Sequence, residues 1–297
     1  MGYVRSTPGP AIEVESTCPP FNIRCRWLAE KFILKSLAQS NQFIFDTYYS
    51  LFLNWRYTPK SMPVLSIAAN SLSNFHQYII KSNKPHIYEQ SYESLLFTPL
   101  VHIDGHFTDL SSHQLKQMSN SVVNNILSNH LNLQFPNTLV IYTDGSVSRL
   151  SAGYSFYIPE LHVSFANNLP PTSSSFTAEC YAIYEALLFI SNTDPGNYLI
   201  ATDSLSCLQA LVSNPLNSKL SPLVLRIKSF IYYLNNSHRS IQFLWIPSHI
   251  GILGNEVADR LAKSTAITIL PSPAQLPWSD FSPLLRRHIL SLVCPME

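Results

Sequence analysis

The chain has 297 residues, 46% of them hydrophobic and only 12% charged, and its 19 Lys plus Arg against 18 Asp plus Glu leave a formal net charge of +1. So even a balance excludes a polybasic nucleic-acid coat, an acidic tail protein and a disordered chain. The length suits two modest domains at roughly 100–200 residues each.

Residues 1–136 read as mainly helical or irregular. A helix is expected over residues 21–40, with Cys25, Leu28, Ala29 and Phe32 on one side and Ile23, Trp27, Leu34 and Ala38 on another; a helix apolar on two sides normally lies between two partners. Residues 41–136 mix aromatic and polar residues without a clear period, which suggests extended, partly helical connecting structure.

From residue 137 the elements become legible. Leu139-Val140-Ile141-Tyr142 is a β-type run that ends at Asp144-Gly145-Ser146. Two further strands are expected over residues 153–158 and 161–166, joined through Pro159-Glu160. Ala182, Ile183, Ala186, Leu187 and Ile190 then recur at helical offsets from Glu179, which heads the pattern. After the Asp194-Pro195-Gly196-Asn197 turn, residues 198–202 read as a strand running into Asp203. A short helix and a longer one over residues 221–235 follow. Residues 241–246 read as the fifth strand, 247–254 as a loop and 255–264 as a helix. This order predicts an α/β domain over residues 137–270, a mixed five-stranded sheet with flanking helices. Residues 271–297 read as a Pro-rich tail with a short helix, capped by Ser279 or Asp280.

Five cysteines without a Cys-x-x-Cys pair indicate neither a zinc ribbon nor a disulfide framework. No apolar stretch approaches the roughly 18 residues of a membrane span, and the N-terminus lacks a basic-then-apolar layout. A protein without a membrane partner is expected, intracellular and either cytoplasmic or nuclear.

Four carboxylates stand at element ends: Asp144, Glu179, Asp203 and Asp259. Each alone has an ordinary explanation: a turn, a charge near a helix start, an N-cap, a solvated helix residue. Together they are different, because the right-handed β–α–β crossover sets the strands of Asp144 and Asp203 side by side with the Glu179 helix above them. Gathered acids on an apolar background repel one another, and a divalent cation resolves the repulsion. His249, ten residues before Asp259, could move protons there near neutral pH.

The ordered segments Tyr142-Thr143-Asp144-Gly145-Ser146, Thr177-Ala178-Glu179, Thr202-Asp203-Ser204, and Pro247-Ser248-His249-Ile250-Gly251 running into Gly254-Asn255-Glu256-Val257-Ala258-Asp259 resemble ribonuclease H. The similarity is to the form carried by reverse transcriptases of non-long-terminal-repeat retrotransposons. The resemblance implies endonucleolytic hydrolysis of the RNA strand of an RNA–DNA hybrid. It implies that Asp144, Glu179, Asp203 and Asp259 hold two Mg²⁺ ions, replaceable by Mn²⁺, and that His249 assists proton transfer or product release. Asn255 matches the family motif as well, and as an N-cap would shape the helix start. A hybrid-specific enzyme must sense the 2′-OH, and backbone groups at Gly145 and Ser146 are the expected contacts. Residues 1–136 resemble the connection after a retroelement polymerase. The chain holds no Asp-Asp pair, so a reverse transcriptase polymerase domain would be a partner absent from it.

Two other readings compete. An inactive retroelement remnant could serve as a nucleic-acid-binding or interaction module. A transposase-like nuclease would place Glu, not Asp259, on the last helix.

Overall fold

The computed structural model describes residues 21–38, 43–55, 62–81, 102–104, 107–149, 151–213, 221–265 and 274–291. Two compact units emerge, Met1–Asn83 with Gln275–Glu297, and Lys84–Ala274.

In the first unit, α1 (Phe21–Leu37), α2 (Phe43–Leu53) and α3 (Val64–Ser71) pack together, followed by a 3₁₀ turn at Ser73–Tyr78. The tail returns to them, with Leu276 bridged to Ile79, a second 3₁₀ turn at Trp278–Phe281 and the last helix, Ser282–Ser291, against α1. The expected two-sided burial of α1 is not observed. Ala29, Glu30, Ile33, Leu34 and Leu37 form one buried stripe, whereas Leu28 and Phe32 are 49% and 47% exposed. The stripe follows the i, i+4 rows that face α3, where Ala68 and Ala69 permit close approach. The tail helix starts at Ser282, so neither Ser279 nor Asp280 is its cap.

The second unit is built on a mixed sheet. In chain order it contains β1 (His102–Asp104), α4 (Ser112–Lys116), α5 (Asn120–Gln134), β2 (Thr138–Val147), β3 (Ala152–Ile158), β4 (Val163–Leu169), α6 (Ser175–Ser191), β5 (Gly196–Thr202), α7 (Leu205–Val212), α8 (Pro222–Asn236), β6 (Arg239–Trp245) and α9 (Leu253–Thr265). The strand order is β1-β6-β5-β2-β3-β4; β2, β3 and β4 run antiparallel, and β2, β5, β6 and β1 are parallel. The sheet therefore has six strands rather than the expected five, because β1 adds to the outer edge of β6. With three residues, β1 carries too little sequence for a period-2 pattern to show.

Alternation along the strands sorts the helices onto the two faces. Val140 and Tyr142 of β2, Leu199 and Ala201 of β5, and Leu244 of β6 share a core with Val123 and Leu127 of α5 and Ala258 of α9. The opposite face is covered by α6, which packs on β2 and β3 and against α8. Buried between sheet and helix, α6 is apolar around most of its circumference. The division differs from a boundary at residue 136, since Phe107, Leu115, Val123, Leu127 and Phe135 all belong to the sheet's core. No helix among the described residues is long and apolar enough to cross a membrane.

Candidate active site

Period-2 alternation carries Asp144 onto the face of Val140 and Tyr142, and Asp203 onto the face of Leu199 and Ala201. Pairing between β2 and β5 ends at Thr143↔Thr202, so both acids sit just past the last rung, at the carboxyl end of parallel strands. Glu179 reaches the same point from the other face. The sequence places it at the head of its helix, but α6 begins earlier, at Ser175, with the Ser174 hydroxyl accepting from the Thr177 N–H at 3.2 Å. That cap sets Glu179 in the second turn, where it meets the sheet.

Gly145 makes this approach possible. A Cβ there would stand 2.3 Å from the Glu179 backbone nitrogen and 2.5 Å from the Ala178 carbonyl carbon, and backbone atoms cannot give way. The Gly145 backbone also favours the charged form of the Glu179 carboxylate. Gly145→Ala is expected to destabilise the fold by at least about 1–3 kcal/mol, the usual cost of overpacking, and to displace Glu179. Thermal melting would show it, and an unchanged midpoint would mean that helix and strand do not meet so closely.

Asp144, Glu179 and Asp203 each offer a ligand oxygen within 4.8 Å of the others. Burial drives their protonation upward, and mutual repulsion adds to it. Asp144 is pushed up to about 7, by desolvation first and then by the charges of Asp203 and Asp259. Glu179 lies well above the usual carboxylate range for the same first reason, followed by Asp144 and Asp203. Desolvation raises Asp203 as well, opposed by a hydrogen bond from Asn255 and the nearby charge of His249. Glu179 Oε2 and Asn255 Oδ1 are buried with no hydrogen-bond partner. Such acceptors are costly unless something positive faces them. Hard oxygen donors of this kind fit a divalent cation such as Mg²⁺.

Asp259 lies beside this trio rather than in it. Its charge raises Asp144 and Asp203, while its own carboxylate is held by Lys263, one helical turn on, at 2.6 Å. His249 is exposed on the loop before α9, with a left-handed backbone at φ 55°. Ser146 is half-buried on β2, where pairing with β3 continues to Val147↔Ala152 but pairing with β5 has stopped. Asn255 does not serve as an N-cap. The helix starts two residues earlier, at Leu253, and Asn255 is buried with its Nδ2 donating to Asp203 Oδ2 at 3.4 Å. Spacing conceals this role, since an Asn at a helix start has a sufficient local explanation.

Residues 136–267 match the RNase H family. The match covers the strands β2 to β6, the acid trio and Asp259, and it supports a nuclease. The crystal structure of RNase H1 from the halophilic archaeon Halobacterium salinarum NRC-1 is similar at 16% identity, covering 43% of this chain and 96% of that one with a TM-score of 0.36. No curated protein matches the chain.

Proposed function

We propose that the chain is a Mg²⁺-dependent ribonuclease H that cleaves the RNA strand of RNA–DNA hybrids endonucleolytically, carried on a retroelement-derived polypeptide. The observation that carries the proposal is the gathering of Asp144, Glu179 and Asp203, the first two buried and the third half-buried, together with a buried Glu179 oxygen that has no hydrogen-bond partner. Asp144, Glu179, Asp203 and Asp259 would hold two divalent ions, Mg²⁺ or Mn²⁺, which would supply Lewis-acid stabilisation of the charge that builds on the phosphoryl oxygens and the leaving 3′ oxygen. Gly145 keeps Glu179 against the strand, and Asn255 orients the Asp203 carboxylate through its amide. His249, exposed on the loop before α9 and close enough for its charge to act on Asp203, would take up or deliver a proton through a ring nitrogen. Ser146, on the unladdered side of β2, is the proposed contact to the ribose 2′-OH. The Gly145 backbone beside it is a second proposed contact to the hybrid. An inactive binding module has no use for three acids held together against their own repulsion.

The test is cleavage of an end-labelled RNA–DNA hybrid with Mg²⁺ or with chelator, beside DNA duplex and RNA duplex controls. Metal-dependent cleavage confined to the hybrid is expected, and equal cleavage of all three substrates would defeat the assignment. His249→Ala is expected to lower turnover roughly 10²–10⁴-fold, the range of general acid–base groups, without abolishing it. A silent substitution at neutral pH would remove His249 from the mechanism.

Affinity for the hybrid is expected to depend only weakly on salt. Residues 137–270 carry 7 Lys or Arg against 8 acids. Lys263 is tied to Asp259, Lys228 is buried with its Nζ donating to the Ser213 carbonyl, and Arg239 donates to the Ile190 and Thr193 carbonyls. Arg149, Arg226 and Arg260 remain among the described basic residues of the block, enough for roughly three or four phosphates at a log–log slope of about −0.9 each. Titrations between about 50 and 200 mM salt, with Ca²⁺ replacing Mg²⁺, would measure the slope; one implying six or more contacts would reveal a basic face elsewhere.

A further inference from the structure

The loop that carries His249 has little regular structure of its own, yet it holds two left-handed residues, His249 at φ 55° and Gly251 at φ 82°. For a non-glycine residue that conformation persists only when its surroundings impose it. Ile250 and Ile252 anchor the loop in the core beside Val123 and Leu127 of α5. Between the two isoleucines, the backbone is hydrogen-bonded by a side chain of α5. Asn124 of α5 donates from Nδ2 to the Gly251 carbonyl at 2.7 Å and accepts at Oδ1 from the Leu253 N–H at 3.0 Å. Its other Nδ2 proton goes to the Asn120 carbonyl, one turn back, at 2.6 Å.

Both carbonyls can only accept and the Leu253 N–H can only donate, so the orientation of the amide is fixed by its partners. Leu253 is the first residue of α9, and its N–H is one of the orphan donors of a helix start. Asn124 therefore caps α9 from another helix while gripping the loop just before that helix begins. Asn120 completes the grip. Its Oδ1 stands 2.2 Å from where a Cβ on Gly251 would lie, so a larger residue there would have to push the exposed Asn120 side chain aside and also adopt a left-handed backbone at φ 82°. Both asparagines precede residue 136 and lie outside the stretch that matches the RNase H family.

We propose that Asn124 is a positioning residue that acts through His249, holding the loop in the conformation that presents the imidazole to the acid cluster. The inference rests on the proposed function for its catalytic meaning and on the two hydrogen bonds for its structural one. The test compares the full chain with Asn124→Ala, Asn124→Asp, His249→Ala and the Asn124→Ala/His249→Ala double variant. Amide exchange at Leu253 should speed up in Asn124→Ala but stay slow in Asn124→Asp, which keeps the acceptor. The His249 ring resonances should shift in both. On the hybrid, both Asn124 variants should lose about 10–100-fold in kcat, as misplacement of a reacting group does, with KM and Ca²⁺ affinity unchanged. The double variant should be no slower than His249→Ala.

Unchanged Leu253 exchange in Asn124→Ala, or unshifted His249 resonances, would overturn the clamp. Multiplying losses in the double variant would show that Asn124 acts by a route other than His249. A wild-type chain that cleaves no hybrid would count against the proposed function alone, since exchange and resonances read the clamp without turnover.

Discussion

Asp144→Asn is expected to abolish cleavage and, in the absence of divalent ions, to raise the melting temperature at pH 7. Asparagine keeps the size of the side chain and removes the charge that the site must hold unpaired. The sign follows from linkage. Asp144 has a folded-state pKa of about 7 against an ordinary 3.8, so between those values the folded chain binds more protons than the unfolded one. The contribution of Asp144 to the stability of the metal-free protein is fully present below about pH 4 and is lost as pH rises towards 7. A tenfold change in proton affinity corresponds to about 1.4 kcal/mol, which makes this loss about 2–4 kcal/mol, and the Asn variant should be spared it. Added Mg²⁺ should reverse the ranking, stabilising the wild type by mass action and the variant far less. Thermal melts from pH 4 to 8, with chelator and with Mg²⁺, provide the measurement. A variant less stable than wild type under chelator at pH 7 would mean that the carboxylates are not in conflict. Residual turnover above a few per cent would remove Asp144 from the catalytic set.

The acids are legible in the sequence because each follows a local signature of a strand or helix boundary, although Asp144 lies inside β2 and Glu179 in the second turn of α6, and because the β–α–β crossover leaves few ways to arrange three such segments. What stays hidden is non-local. The helix α5 does carry a pattern, with Ser119 before it and Val123, Ile126, Leu127 and Leu131 at helical offsets, but asparagines interspersed with those positions blur it. Asparagine has low helix propensity because its side chain competes for backbone groups. Here Asn124 spends its amide on the Gly251 loop, 127 residues further along the chain. No local rule assigns that value to the residue. The same holds for Asn255, whose half-buried bond to Asp203 spans 52 residues of sequence. Gly145 reads locally as a turn and lies instead in a strand, where its missing side chain admits a helix.

Removal of everything before residue 137 is expected to ruin the second unit, although the family match begins at residue 136. A fragment of residues 137–270 keeps the five strands β2 to β6 but loses Phe107, Leu115, Val123, Leu127 and Phe135 from the sheet's core. Each large apolar side chain contributes about 1.5–3 kcal/mol on full burial. Five of them reach roughly 7–15 kcal/mol, as much as the whole net stability of an ordinary domain. The cut also takes β1 from β6, exposing a parallel strand edge to other chains, and it releases the Gly251 loop from Asn124. The fragment should therefore be aggregation-prone, bind a hydrophobic dye and melt without cooperativity, whereas Lys84–Ala274 should fold as one cooperative unit. Far- and near-ultraviolet circular dichroism with size exclusion on both fragments decides the matter. A monomeric, cooperatively melting 137–270 that still cleaves the hybrid would show that α5 and β1 are accessories, and that the sheet can close its own core without them.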